Sequence, residues 1–154
     1  MGKFDKNIFT SHNQDYSTPQ YLFDLLDAEF HFTLDVCADE TNHKCDRYFS
    51  IADDGLKRDW IGVCWMNPPY NNKKNWVIKA YKESIKHNSV VVCLIPARTN
   101  TVWWHQYCMK GEIRFICGRP IFEGMEYGLP QPLAIVVFGP EYSGNYKSIT
   151  LTKL

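Results

Sequence analysis

The chain has 154 residues, 45% of them apolar and 15% aromatic, which is enough for one well-buried core and too few for two ordinary domains. Its 17 basic and 17 acidic side chains cancel, so composition gives no sign of a broad basic footprint, and contact with nucleic acid would need a local basic rim. The longest apolar runs, 89–96 and 133–138, fall far short of the roughly 20 residues of a membrane helix, and the N-terminus is polar rather than signal-like. The expectation is one soluble, cytoplasmic domain over 1–154, with 1–17 as an arm and 139–154 as a tail.

In chain order, Ser17-Thr18-Pro19 reads as a helix start, a hydroxyl cap followed by a first-turn proline. The helix is expected over 19–30, with Leu22, Phe23, Leu25 and Leu26 on one face. Residues 32–36 form a short β-prone run that delivers Asp35 to the edge of a sheet. The stretch 38–57 is polar and predicts only short elements. A core strand over 62–66 runs directly into Asn67-Pro68-Pro69-Tyr70. Apolar positions at Trp76, Val77, Ala80, Tyr81 and Ile85 predict an amphipathic helix over 76–86, with Lys79, Lys82, Glu83 and Lys86 on its other faces. The continuous apolar run 90–95 is of the buried parallel-strand type. A short helix over 102–109 and strands over 113–117 and 133–138 complete the series. Together these predict an α/β domain, a doubly wound and mostly parallel sheet closed by a terminal antiparallel hairpin.

The six cysteines are evenly spread, and none forms the Cys-x-x-Cys pair of a zinc site. They read as reduced, largely buried thiols, and no metal is implied.

Asn67-Pro68-Pro69-Tyr70 follows a strand at the end of an α/β sheet where ligands bind. Two prolines hold the backbone extended and remove two amide donors, so neighbouring carbonyls can face a pocket. Methylation of an adenine amino group needs such acceptors, because its lone pair is delocalised into the ring. Hydrogen bonds from its two hydrogens to the Asn67 side-chain oxygen and the Pro68 carbonyl would favour a pyramidal, reactive nitrogen. Inside a duplex that base must be flipped out, and Tyr70 offers an aromatic face to hold it. The bland alternative is a Pro-Pro-Tyr loop or a proline-rich ligand segment.

The wider pattern comprises Thr18-Pro19-Gln20-x-Leu22-Phe23-Asp24, Phe32-Thr33-Leu34-Asp35-x-x-Ala38 and Asp53-Asp54-Gly55-Leu56-x-x-Asp59-Trp60. It continues through Trp65-x-Asn67-Pro68-Pro69-Tyr70, the run 94–105 and Ile113-Arg114-Phe115-Ile116-x-Gly118-Arg119. Across residues 17–138 the chain resembles the phage-type DNA N-6-adenine methyltransferase family, also called Dam-like. The resemblance implies the Rossmann-like fold of S-adenosylmethionine-dependent methyltransferases, S-adenosylmethionine as methyl donor and adenine in double-stranded DNA as acceptor. By it, Thr18 and Pro19 look like the element that contacts the methionine end of the cofactor. Asp35, Cys37 and Ala38 look like the first strand and its turn, and Asp53 or Asp54 the acid near the adenosine. Most methyltransferases carry a glycine-rich turn here, whereas residues 35–39 contain no glycine.

Either aspartate could equally be a loop cap. Arg98, Thr99 and Arg119 are candidates for phosphate contact, with a structural salt bridge as the alternative reading for the arginines, and Lys73 and Lys74 could meet phosphate or simply be solvated. His105, beside Trp103 and Trp104, lacks a visible acid–base partner and reads as helix packing. Rival functions are the same fold acting on RNA or on protein glutamine, and a catalytically silent DNA-binding or anti-restriction module. No separate recognition domain is evident, which points to modest specificity or to help from a second subunit, as in a homodimer.

Overall fold

The computed structural model describes residues 17–150; the expected arm falls almost wholly outside that range, as does the end of the expected tail. The elements are α1 (Gln20–Phe30), β1 (Leu34–Asp35), β2 (Val63–Met66), α2 (Lys73–Lys86), β3 (Val90–Pro96), α3 (Val102–Gln106), β4 (Glu112–Cys117), β5 (Leu133–Phe138) and β6 (Tyr146–Thr150), with single 3-10 turns at Gly55–Lys57 and Cys108–Lys110.

Six strands form one mixed sheet in the order β1-β2-β3-β5-β4-β6. The pairs β1–β2, β2–β3 and β4–β6 are parallel, and β5 runs antiparallel to both its neighbours. Side-chain alternation along β3 explains the layering. Val91, Cys93 and Ile95 join Trp76, Val77, Ala80, Trp103 and Trp104 on the α2–α3 side. Val92 and Leu94 join Leu22, Phe23, Leu26 and Phe30 of α1 on the other. Helices on both faces leave the central strands no polar face, which is why 90–95 and 133–138 read as unbroken apolar runs.

The antiparallel pair β4–β5 forms as expected but is not terminal. β5 is inserted between β3 and β4, and β6, from a segment expected to be a tail, adds a parallel edge strand beyond β4. The physical reason is burial: all six residues of β5 are buried and need covering strands, whereas Tyr146, Lys147 and Ser148 are exposed as edge positions allow. Other expectations shift locally. α2 begins a turn earlier than its apolar spacing, Ile85 is 65% exposed and Glu83 only 3%. Glu83 tolerates burial because its carboxylate accepts from the Trp60 amide at 2.8 Å and from Lys79 at 2.7 Å. Leu25 likewise lies on the outer side of α1, 52% exposed.

The segment 38–57 is irregular, yet it is fastened to β1. Asp35 N donates to Arg47 O at 3.0 Å, Phe49 N to Asp35 O at 2.9 Å and Ala38 N to Phe49 O at 3.0 Å. Gly55 permits the closest approach: a Cβ there would meet Val36 O at 2.4 Å and the Trp76 ring at 3.0 Å. This loop thereby becomes a wall over the carboxyl end of β1.

Candidate active site

Parallel β1, β2 and β3 end on the same edge of the sheet, delivering Asp35, Asn67 and Arg98 to one side of the molecule. A cavity of about 520 Å³ opens there, lined among others by Thr18, Asp35, Cys37, Ala38, Asp54 and Asn67. That volume lies in the range of cofactor and small-molecule sites. Of the residues singled out from sequence, the cavity gathers these six and Pro69, whereas Pro19, Asp53, Pro68 and Tyr70 stand outside its lining.

Asp35 is 2% exposed, and its carboxylate accepts from Lys44 N at 3.0 Å and Cys37 N at 3.3 Å. Burial lifts its pKa to about 6 against the lowering effect of those amides and of nearby His43 and Lys44. These backbone donors hold an anion at the strand end without a glycine-rich turn. Lys44, which the sequence pattern did not single out, lines the same cavity. Its ammonium lies 2.9 Å from Gln20 Oε1 and 3.3 Å from Glu123 Oε1. No periodicity marks it, since it sits in irregular backbone.

The two loop aspartates separate. Asp53 is a cap: Oδ2 accepts from Ser50 N at 2.8 Å and Ser50 Oγ at 2.9 Å, which holds its carboxyl below the usual range. Asp54, in the left-handed region at φ 54°, faces the cavity.

Asn67 leaves β2 with its side chain half-buried, and Nδ2 donates to the Thr18 hydroxyl at 3.0 Å. Thr18 is 2% exposed. The expected cap is absent: α1 starts from Pro19 with no side-chain cap, and the Thr18 hydroxyl is turned to Asn67 instead. The Pro69 carbonyl accepts from Asn72 N at 3.1 Å, which bends the chain into α2. Among the described residues no backbone amide donates to the Pro68 carbonyl. Tyr70 is 7% exposed and meets Phe122 edge-on, ring centres 6.3 Å apart.

Around this edge the cations gather. Lys73 Nζ donates to Tyr70 O at 2.9 Å, and burial together with the Arg98 charge lowers its pKa. Arg98 and Thr99 lie at the end of β3, Lys74 is in the first turn of α2, and Arg119 is exposed at the start of the loop 118–132. Among the described residues none of these cations pairs with a carboxylate. Trp103 and Trp104 pack into the core, but His105 does not; it is exposed and contacts Thr99 O at 2.7 Å, bracing the turn after β3.

At the opposite edge, before β2 and β3, Asp59, Glu83 and His87 bring ligand-type atoms within 4.8 Å of one another. Lys86 at 2.9 Å from Asp59 and Lys79 at 2.7 Å from Glu83 already balance the two carboxylates. The described residues include no disulfide; Cys45, Cys64, Cys93 and Cys108 are buried, Cys37 is half-buried and Cys117 exposed. No helix among the described residues is long and apolar enough to cross a membrane.

Sequence comparison identifies the family. Residues 6–150 match the family described as DNA N-6-adenine-methyltransferase (Dam). The chain is 33% identical over 138 residues to the DNA N-6-adenine-methyltransferase of Haemophilus phage HP1 (strain HP1c1), a match covering 82% of this chain and 79% of that protein. It is 34% identical over 93 residues to the DNA N-6-adenine-methyltransferase of Escherichia phage T1, covering 58% of this chain and 38% of that protein. With nearly its whole length matched, the chain belongs to the DNA N-6-adenine-methyltransferase (Dam) family.

Proposed function

We propose that this protein methylates the exocyclic amino group of adenine in double-stranded DNA with S-adenosylmethionine as donor, acting in the cytoplasm of a bacterial or phage-infected host cell. The observation that carries the reading is the placement of Asn67 and Pro69 on the rim of a cofactor-sized cavity at the carboxyl ends of parallel strands. A sheet with helices on both faces is the kind of support that S-adenosylmethionine-dependent methyltransferases use.

The cavity suits the donor chemically. It offers an anion at Asp35 for an ammonium group, a cation at Lys44 for a carboxylate, and apolar surface at Phe49, Leu56 and Trp76 for a nucleoside. Bound there, S-adenosylmethionine would supply an electrophilic methyl group. Cys37 and Ala38 would meet its methionine part and Asp54 its adenosine, with Thr18 lining the same cavity.

The chain's own part in the reaction is to prepare the amine. Asn67 Oδ1 and Pro68 O would accept the two amino hydrogens, drawing the nitrogen lone pair out of conjugation and towards the methyl carbon. The Pro68 oxygen belongs to backbone stiffened by prolines and the Asn67 side chain leaves the chain directly after β2, so little reorganisation accompanies the positive charge that develops on nitrogen. Arg98, Thr99, Arg119, Lys73 and Lys74 would meet phosphates around the extruded nucleotide. The Tyr70 ring is covered in this structure, so on this reading the loop 118–132, which carries Phe122, moves aside as the base arrives to stack.

The deciding experiment is methyl transfer from labelled S-adenosylmethionine to DNA, RNA and protein, followed by sequencing that detects modified adenine. Label in DNA adenine that vanishes in Asn67→Ala supports the reading. Label confined to RNA or protein, or binding of DNA without transfer, overturns it.

A further inference from the structure

We infer that Thr18 is a positioning residue for Asn67, its hydroxyl holding the carboxamide in place beside the reacting amine. This rests on the role proposed for Asn67. A carboxamide is nearly symmetric in shape but opposite in polarity across its two ends. Turned one way it presents an acceptor to the adenine amino group; turned the other way it presents NH2 to NH2, and the pull on the lone pair is lost.

In this structure the amide end is turned to Thr18: Asn67 Nδ2 donates to Thr18 Oγ1 at 3.0 Å, between residues 49 apart in sequence. Thr18 is 2% exposed, so water has little access to compete for the amide. A threonine just before a helix ordinarily offers its hydroxyl to the first-turn amides. Here α1 begins from Pro19 without a side-chain cap, which leaves the oxygen for Asn67. The backbone of the segment is held on both sides: Pro19 O accepts from Leu22 N and Phe23 N at 3.1 and 3.2 Å, and Ser17 O accepts from Glu123 N at 3.0 Å. Thr18 and Asn67 also line the same cavity, so the hydroxyl sits between the donor's site and the acceptor that activates the base.

The test measures single-turnover methylation, S-adenosylhomocysteine affinity and DNA affinity for the parent protein and for Thr18→Val, Thr18→Ser and Asn67→Ala. Because misplacement of a reacting group by 1 Å can cost on the order of 100-fold, Thr18→Val should be slower by about 10- to 100-fold. Both affinities should stay within about 3-fold, and Thr18→Ser should recover most of the rate. The Asn67 side-chain amide protons, followed by NMR, should exchange faster with water in Thr18→Val and at the parent rate in Thr18→Ser. Should the valine variant not fold, Thr18→Ala serves the same comparison.

Parent-like turnover in Thr18→Val overturns the inference. So does a rate that falls only in proportion to cofactor affinity, which would make Thr18 a cofactor contact, or a serine variant as slow as valine, which would make the methyl group the cause. Failure of the underlying reading looks different: a parent protein that leaves adenine unmethylated, or an Asn67→Ala variant as fast as the parent, removes the role of Asn67 itself.

Discussion

Arg114 of β4 grips Glu29 of α1 with two parallel hydrogen bonds, 2.6 and 2.8 Å long, across 85 residues of sequence. The same guanidinium reaches Glu112 at 2.7 Å and lies over the Phe30 ring at 5.1 Å. Glu29 is held below the usual carboxylate range chiefly by the Arg114 hydrogen bond. This clamp seats the end of α1 on the sheet, while the start of the helix carries the approach to Thr18.

Removing Arg114 leaves the buried acid Glu112 to the longer, solvent-facing contact with Lys147 at 3.5 Å. Glu112 is 2% exposed, so Arg114→Ala should destabilise the fold by about 3–5 kcal/mol, as breaking buried ion pairs does. The double variant Arg114→Met/Glu112→Gln should recover much of that loss, because no charge is left buried without its partner. Denaturant melts of the three proteins give the comparison, and equal stability of parent and Arg114→Ala would refute it.

Asn67→Ala should lower kcat by about 100- to 1,000-fold, the usual cost of losing one preorganised hydrogen-bonding group at developing charge. S-adenosylhomocysteine binding, measured by calorimetry, should change little, since the cavity keeps its shape and its charges.

Cofactor affinity should depend on pH through Asp35. Its carboxyl is raised to about 6 by burial, so it is an anion above that pH and a neutral acid below it. Only the anion attracts a ligand ammonium, so affinity for S-adenosylhomocysteine should fall as pH drops through about 6, by up to about tenfold per unit. In Asp35→Asn the profile should be flat and weak. A parent profile that is level between about pH 5 and 8 would contradict this role.

DNA affinity should carry a salt signature at Arg98. Each phosphate that a cation neutralises steepens the dependence of log K on log salt by about 0.9, so Arg98→Ala should flatten it by about one and weaken all DNA sequences alike. Lys73 is a less clean probe, because its ammonium also holds the Tyr70 carbonyl.

Thiol labelling should report the cavity. Cys117, the exposed thiol, should react first; Cys37, which lines the cavity, should react more slowly and be protected by S-adenosylhomocysteine. Cys45 and Cys64, pushed up to about 12 by burial, should stay silent until the protein unfolds.

The elements with strong periodicity or continuous apolar character were legible in the sequence. β5 matches its expected span of 133–138, and β3 differs only by including Pro96. β6 was hidden because an edge strand keeps polar residues such as Lys147 and Ser148 and lacks the apolar run that marks a buried one. Glu83 reads as lying off the apolar face because helical periodicity cannot show that the Trp60 backbone amide arrives from elsewhere in the chain to satisfy it. At the cavity, Asn67, Thr18 and Asp35 stood out because they sit where predicted elements begin and end. Lys44 and the separation of Asp54 from Asp53 depend on how irregular backbone folds over β1, which no local pattern encodes.

The wall contributed by 38–57 has an implication for redesign. Its side chains face a ligand-sized recess, but most belong to no helix face, and the segment is tied to the sheet by backbone hydrogen bonds around Asp35 rather than through its rim side chains. Ile51, 89% exposed at the rim, could therefore be trimmed or exchanged with little disturbance to the packed layers beneath. A library confined to this rim would be the economical route to a variant that accepts bulkier sulfonium donors and tags DNA with groups larger than methyl.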